Sequence, residues 1–314
     1  MIYSNNSVAP EVPDLFGMLM MKDDHDVLEE VLDCNARHFK ALFVLDGSDD
    51  HKETQRILSR YPNVEFYLRD AQLDSRFARP PRDGARQVLL EAIQSRYGTS
   101  GIIFILHSDE MFYDLPPGVL AAFMMEHHLD AVGVSNVHFF LHTSMEGHYY
   151  RDPARPIVEQ IEYACFPGVP EIRAFRNQPG LAYQPNEHGK VEPHGLTRVA
   201  HTSFPLRHYL YRTEDQMKRN TLDRSTRGWQ GYGQWMTEQS CYVDKLPGDF
   251  MKFSQRISPG ERLDNGRDGT LASGSSEPLI RMRMLHEKGS IAGRIRRKIV
   301  RRLFPQFLDV IDWT

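Results

Sequence analysis

"GIIFILHSDEMF", residues 101–112, decides how the rest of the chain is read. Five consecutive apolar residues, Ile102 to Leu106, end abruptly in His107, Ser108, Asp109 and Glu110. A short continuous apolar run bounded by polar residues is the pattern of a strand covered on both faces, as in parallel sheets. In open sheets of that kind ligands bind outside the carboxyl ends of the strands. The stretch therefore predicts an α/β layer and also a place on it for chemistry.

The flanking sequence repeats the pattern. "LFGMLMM" (15–21), "ALFVL" (41–45), "VEFYLR" (64–69) and "DAVGVSNVHFF" (130–140) read as further strands. Helical patterns separate them. Residues 26–38 place Val27, Leu28, Val31 and Leu32 on one face, and 52–61 form a short second helix. Residues 83–98 turn Val88, Leu89, Ala92 and Ile93 inward and end on Gly98, a natural C-cap. Residues 116–128 open on prolines, which suit a first helical turn. Strand–helix alternation with apolar strands predicts a mostly parallel, Rossmann-like sheet flanked by helices. Beyond it, 141–210 mix strand-like pieces with Pro, Gly and Asn, 213–240 look helical, and 254–278 read as exposed loop. The expected organisation is a flexible arm (1–13), an α/β half (14–140) and a second half of the same domain (141–250). A loop-rich segment (251–289) and a basic amphipathic helix (290–314) follow.

Composition narrows the class. The 314 residues can bury a substantial core, and 40% apolar with 25% charged content is that of a soluble globular protein. A net charge of −4 gives no pull toward nucleic acid. Cys34, Cys165 and Cys241 form no CxxC pair, which argues against structural zinc and a disulfide scaffold and for a reducing, cytoplasmic setting. The longest apolar runs are too short to span a bilayer.

Polar groups fall at one end of each strand. Lys22, Asp23 and Asp24 follow the first, and Asp46, Gly47, Ser48, Asp49 and Asp50 the second. Arg69 and Asp70 follow the third, and His107 to Glu110 the fourth. Turn and cap chemistry accounts for any one of these. Four acid-tipped strands in succession imply a cation or a hydrogen-bond-donating ligand at that edge. Other motifs fail: "DGSDDHKETQRI" starts like a calcium loop, but His51 stands where glycine is required and Ile57 where glutamate is. There is no GxxxxGK[ST], GxSxG or HExxH, and no GxGxxG after the first strand.

In this arrangement the sequence resembles a glycosyltransferase of the GT-A fold, most similar to the family 2-like branch, over roughly residues 14–225. "MLMMKDDHDVLEEVLDCN" resembles the family's first strand, turn and helix, and the resemblance assigns Asp23 and Asp24 to the nucleotide. "LFVLDGSDDHKETQRIL" resembles the turn that holds the base, giving Asp46. "DGARQVLLEAI" resembles a helix start near the phosphates, giving Gly84 and Arg86. "FILHSDEMF" resembles the Asp-x-Asp-Glu stretch that binds the divalent metal. "IRAFRNQPGLAYQPNEHG" resembles a Phe-Arg-Asn segment followed by an acid/His pair near the acceptor. "LRHYLYRTEDQMKRN" resembles a segment whose His completes the metal shell. One departure is clear: His107 stands where the first Asp of Asp-x-Asp is expected.

The resemblance implies a nucleotide-sugar-binding half over 14–140 and an acceptor and metal-completing half over 141–250. It implies sugar transfer from a nucleotide-sugar donor to a carbohydrate or lipid-linked acceptor, with Mn2+ or Mg2+. Hard oxygen ligands would hold the ion against the charge that develops on the leaving diphosphate. The metal set it implies is Asp109, His208 and Glu110, with His107 at the ribose or on a softer metal and Arg212 beside Arg86 on phosphate charge. Glu187 and His188 are the expected region of the acceptor base, with Glu192, His194 and the Glu214–Asp215 pair as rivals. A GT-A-like chain that only binds carbohydrate or a protein partner, and a metal-dependent phosphohydrolase, are the alternatives.

Three further features have two readings each. His138 and His142 share a strand face with Phe140, either as plain packing along a cleft wall or as a metal cluster. Trp229, Tyr232 and Trp235 serve either to stack on sugar rings or to fill a helix start. Six Arg/Lys lie between 294 and 302, beside a stripe of Ile291, Ile295, Ile299 and Leu303. That is the pattern of an interfacial helix, with peripheral contact to the inner face of a membrane expected through 290–308. A basic helix packed on an acidic protein surface is the alternative.

Overall fold

The computed structural model describes residues 13–73, 83–167, 170–184, 191–219, 242, 251–258, 263 and 282–287. The elements run β1 (Leu15–Met21), α1 (His25–Asn35), β2 (Ala41–Asp46), α2 (His51–Leu58), β3 (Val64–Arg69), α3 (Arg86–Tyr97) and β4 (Ile102–His107). They continue with β5 (Glu110–Met111), α4 (Pro117–Glu126), β6 (Ala131–Phe140), β7 (Tyr163–Pro167), β8 (Glu171–Arg176) and β9 (Arg198–His208). Strands β10 (Met251–Arg256) and β11 (Met282–Glu287) lie within the segment whose composition reads as loop. Residues 214–219 are helical, and the rest of the stretch read as helix, 220–240, lies outside the described residues.

The sheet is layered as its apolar strands predict. Along β4, Ile102, Phe104 and Leu106 join one core with α1, α2 and α4, while Ile103 and Ile105 join another with α3. Period-two alternation places successive side chains on opposite faces, so a continuous apolar strand needs helices on both. Strands β3, β2, β1 and β4 run parallel in that order. Next to β4 stands β8, antiparallel to β4 and to β6 on its far side, so 130–140 does not adjoin the fourth strand directly. The long β9 pairs parallel with β6 and antiparallel with β5 and β11.

Two local devices set the position of the 107–111 stretch. At its base, Gly101 has φ +85°, and a Cβ there would lie 2.6 Å from the Asp14 carbonyl oxygen. Gly101→Ala is expected to cost about 1–3 kcal/mol from the backbone conformation alone. The check is a lower urea midpoint at unchanged slope. At its tip, buried Asn35 donates from Nδ2 to the Glu110 carbonyl (2.8 Å) and accepts from the Phe112 N–H (2.9 Å). Asn35→Ala strands two buried backbone groups, each worth about 1–3 kcal/mol. Denaturant unfolding should show that loss.

Candidate functional site

Three strand ends meet at one edge. The Asp23 N–H donates to Ser48 Oγ (2.9 Å) and the Asp49 N–H to Asp23 Oδ1 (2.8 Å), tying the turn after β1 to the turn after β2. Asp23 adopts φ +55°, a left-handed conformation that places it across that gap. The Ser108 hydroxyl donates to Asp24 Oδ2, tying the end of β4 to the start of α1. Asp24 occupies the N-cap position of α1, yet its carboxylate makes no cap hydrogen bond, because it is turned to Ser108 and Arg212. The third strand's Asp70 begins a 3-10 turn.

His107, Asp109 and His208 bring one ligand atom each to within 4.8 Å of one another. β9 delivers His208 opposite Glu110 of β5 on one side and His138 of β6 on the other. His208 Nε2 is 3.3 Å from Asp109 Oδ1, and its Nδ1 is buried with no hydrogen-bond partner, 3.8 Å from Glu110 Oε1. His107 Nδ1 is 3.1 Å from Glu110 Oε1, and its Nε2 is 3.4 Å from Arg86 Nη2.

Much of the charge balance at this edge is internal. Arg173 is fully buried and clasps Glu110 with both arms, Nε to Oε2 at 3.0 Å and Nη2 to Oε1 at 2.6 Å, and also reaches Glu171 at 2.7 Å. Arg212 is fully buried as well. It bonds Asp26 through Nε (2.7 Å) and Nη2 (2.8 Å) and Asp24 through Nη2 (2.5 Å), with Nη1 3.8 Å from Asp109. Burial opposes ionisation of Asp109 and Glu110, but the facing cations prevail. His208 and Arg212 hold the Asp109 carboxyl below its usual range, and Arg173 and His107 do the same for Glu110. His208 is raised despite its burial, by Asp109 and Glu110. Asp24 is raised, because burial outweighs Arg212. His138 is pushed down to about 3 by burial and then by the charge of His208, so it is a neutral imidazole.

The structure assembles most of the residues singled out in the sequence. Asp23, Asp24, Asp46, His107, Asp109, Glu110 and His208 all lie on the strand-end edge, and Arg86, at the first position of α3, reaches it through His107. Gly84 sits in the buried turn just before that helix. Asp46 accepts from the Ser48 N–H (2.8 Å) and the Tyr67 hydroxyl (2.6 Å). Two expectations shift. Glu110, expected among the metal ligands, has both oxygens taken by Arg173, and His107 instead completes the group of three. Arg212, expected on phosphate, is engaged by Asp24 and Asp26. The Phe-Arg-Asn segment ends at the opposite edge, because β8 runs antiparallel: Arg176 pairs with Ile102, and Asn177 donates to the Gly98 and Ser100 carbonyls.

His138 packs its ring 4.8 Å from that of His208, and His142 stacks on Tyr163 at 3.8 Å, so the two histidines take different neighbours. Glu187, His188, Trp229, Tyr232, Trp235 and the basic segment 290–308 lie outside the described residues. Sequence reading missed Arg173, Glu171 and Asp26. The available signal was Arg173 itself, a charge inside an otherwise apolar strand, which must be paired to be buried.

Fold and edge together define an α/β protein with a mixed, largely parallel sheet flanked by helices and a His/Asp/His group at its carboxyl edge. Among solved structures, the chain is similar to S. aureus TarS at 12% identity and a TM-score of 0.37, over 67% of this chain and 39% of that one. TarS 1–349 in complex with UDP aligns at 16% identity and a TM-score of 0.30, over 44% of this chain and 38% of that one. The 4-diphosphocytidyl-2C-methyl-D-erythritol synthase of Anaerococcus prevotii aligns at 11% identity and a TM-score of 0.31, over 53% and 73%. No protein-family model matches the chain, and no curated protein matches it in sequence. Among the described residues, no helix is long and apolar enough to cross a membrane.

Proposed function

We propose that this chain is a glycosyltransferase that moves a sugar from a nucleotide-sugar donor to a hydroxyl of a carbohydrate or lipid-linked acceptor, assisted by Mn2+ or Mg2+. The observation that carries the reading is the meeting of His107, Asp109 and His208 at the carboxyl ends of parallel strands, where α/β sheets take ligands. The donor set suits a divalent ion: one low-pKa carboxylate and two imidazoles, with His208 Nε2 3.3 Å from Asp109 Oδ1. When bound, the ion supplies positive charge against the diphosphate leaving group.

The chain's own residues then divide the work. Asp109 and His208 hold the ion. Arg86 brings a fixed cation to the same spot from the start of α3, where helix backbone N–H groups also favour phosphate. The turns bearing Asp23 and Asp46 contact the nucleoside. Arg212 acts on the site by holding Asp24 and Asp26 rather than by touching phosphate. The acceptor proton goes to the Glu187–His188 region, and the basic 290–308 segment meets the membrane where a lipid-linked acceptor resides.

A second reading, carbohydrate binding without turnover, is favoured by the neutralisation of Glu110, Asp24 and Asp26 by internal arginines. One experiment separates the two. Nucleotide sugars with several bases and sugars are titrated into purified protein with Mn2+ or Mg2+, following melting temperature and hydrolysis. A donor at 100 times its dissociation constant raises stability by about 2.7 kcal/mol. Binding with slow hydrolysis is the expected result. Binding without any turnover supports the second reading, and no binding to any donor with either ion overturns both.

A further inference from the structure

We infer that Asn136, His138 and Glu171 form the row that holds the transferred sugar, bonding its hydroxyl groups and turning away sugars that carry a carboxylate. The inference rests on the donor reading above and adds the chemical class of the sugar and the residues that select it.

The signal is a pair of orphaned polar atoms. Asn136 Oδ1 and His138 Nδ1 are buried with no hydrogen-bond partner among the described residues. Leaving a buried polar atom unpaired is costly, so two on one strand call for a partner that arrives from outside. The residues are two apart on β6, so their side chains stand on the same face. The orientation of the Asn136 amide is fixed by its neighbour: Nδ2 donates to Glu171 Oε2 at 3.1 Å. A carboxylate only accepts, so the amide nitrogen faces Glu171 and the oxygen is the atom left over. Arg173 Nη2 meets the same Oε2 at 2.7 Å. Both contacts fall on one oxygen and the Glu171 side chain is 48% exposed, so it keeps acceptor capacity for a hydroxyl. His138, a neutral imidazole, has one donor and one acceptor. An amide oxygen, an imidazole and a carboxylate in a row suit sugar hydroxyls, each of which donates once and accepts.

Strand order places the row beside the sugar. On the donor reading the nucleoside lies over the turns after β1 and β2, and the diphosphate lies at the end of β4. Strands β8 and β6 follow on the far side of β4. His138 of β6 stands directly opposite His208 of β9, with ring centroids 4.8 Å apart. A diphosphate at β4 with its nucleoside over β1 and β2 therefore sends its sugar toward β8 and β6. Charge then decides which sugar is accepted. Arg173 is one cation between two carboxylates, Glu110 and Glu171. One negative charge is left over at the half-exposed Glu171, where it repels a second carboxylate and tolerates a hydroxyl or an amine.

The test compares donors that differ only in oxidation of the sugar C6: UDP-glucose with UDP-glucuronate, and GDP-mannose with GDP-mannuronate. UDP and GDP alone are the references, and each is titrated calorimetrically into the full-length protein with Mn2+. The neutral donor of a pair is expected to bind at least about tenfold more tightly than its uronate. Glu171→Gln should narrow that gap by about tenfold, and it should fold, because Arg173 retains its two-armed bond to Glu110. Asn136→Leu should weaken the neutral donor by about tenfold while the affinity for UDP or GDP holds. Its melting temperature should not fall, since Asn136 Oδ1 has no partner to lose and Glu171 keeps Arg173. A role in packing alone would instead lower the melting temperature and leave the ratio of donor to nucleotide affinity unchanged. Uronate binding as tight as that of the neutral donor, or a gap that Glu171→Gln leaves intact, overturns the inference while the donor reading stands. Nucleotide binding with no gain from either sugar overturns it as well. If no nucleotide or nucleotide sugar binds, the donor reading fails and the inference falls with it.

Discussion

Asp109→Ala is expected to abolish divalent-ion binding at the strand-end edge, and metal-dependent donor binding with it. Asp109 is the one carboxylate in the group of three. Its carboxyl stays ionised well into acid because His208 and Arg212 outweigh its burial, so it offers a charged oxygen at any working pH. Loss of a residue that merely orients a ligand costs about 10–100-fold in metal affinity, and loss of this ligand should exceed that range. The fold should survive the change. Arg212 retains its bonds to Asp24 and Asp26, and His208, which loses the Asp109 carboxylate, keeps Glu110 Oε1 3.8 Å from its Nδ1. Calorimetric titration of Mn2+ or Co2+ against wild type and variant, with melting curves of both, checks the two halves of the expectation. Unchanged ion binding would remove Asp109 from the site.

Arg173→Met should be severely damaging to stability. Arg173 and Glu110 are both essentially excluded from solvent and meet in a two-armed pair. Removing one partner of such a pair costs about 3–5 kcal/mol, because the other charge is left uncompensated, and Glu171 loses its cation as well. The double variant Arg173→Met with Glu110→Gln should regain much of that loss, since both charges leave together. Acidity provides an independent signature. Arg173 and His107 hold the folded-state pKa of Glu110 well below its ordinary 4.5, so its contribution to wild-type stability is complete above about pH 4.5 and is lost as the pH falls through the folded value. Without Arg173, burial dominates and the Glu110 pKa rises. The deficit of the variant should therefore shrink on acidification. Urea unfolding from about pH 8 down to about pH 3 measures this. A pH-independent deficit would mean that the arginine acts through packing alone.

Both expectations turn on the same fact about the edge. The acids in the sequence suggested a cation or a hydrogen-bond-donating ligand at that edge. The structure answers part of that charge from within, Arg212 meeting Asp24 and Asp26 and Arg173 meeting Glu110, and it brings together a His/Asp/His group that could hold an ion. The argument from repulsion was sound, but two of the balancing cations were not adjacent in sequence to the acids they balance.

How far the sequence reaches can be traced along particular residues. The apolar run of 102–106 and its companions are legible because strand and helix periods are local properties, and β1 to β4 and α1 to α4 lie within a few residues of where the patterns place them. The gathering of Asp23, Asp46 and Asp109 at one edge is legible too, since parallel strands joined by helices all point their carboxyl ends the same way. The insertion of β8 between β4 and β6 is not, because pairing partners 37 to 74 residues apart leave no mark on local periodicity. The assignment of Glu110 to Arg173, and of Asp24 and Asp26 to Arg212, is equally hidden. A carboxylate's partner is chosen by the approach of distant strands within hydrogen-bond range, about 3 Å, a distance that only the packed chain defines. The sequence by itself determined the layer, its ligand edge and the chemical types of the groups on it. Only the tertiary structure decided which of those groups neutralise one another and which three are left facing a common point, because charge pairing is settled by distance in space.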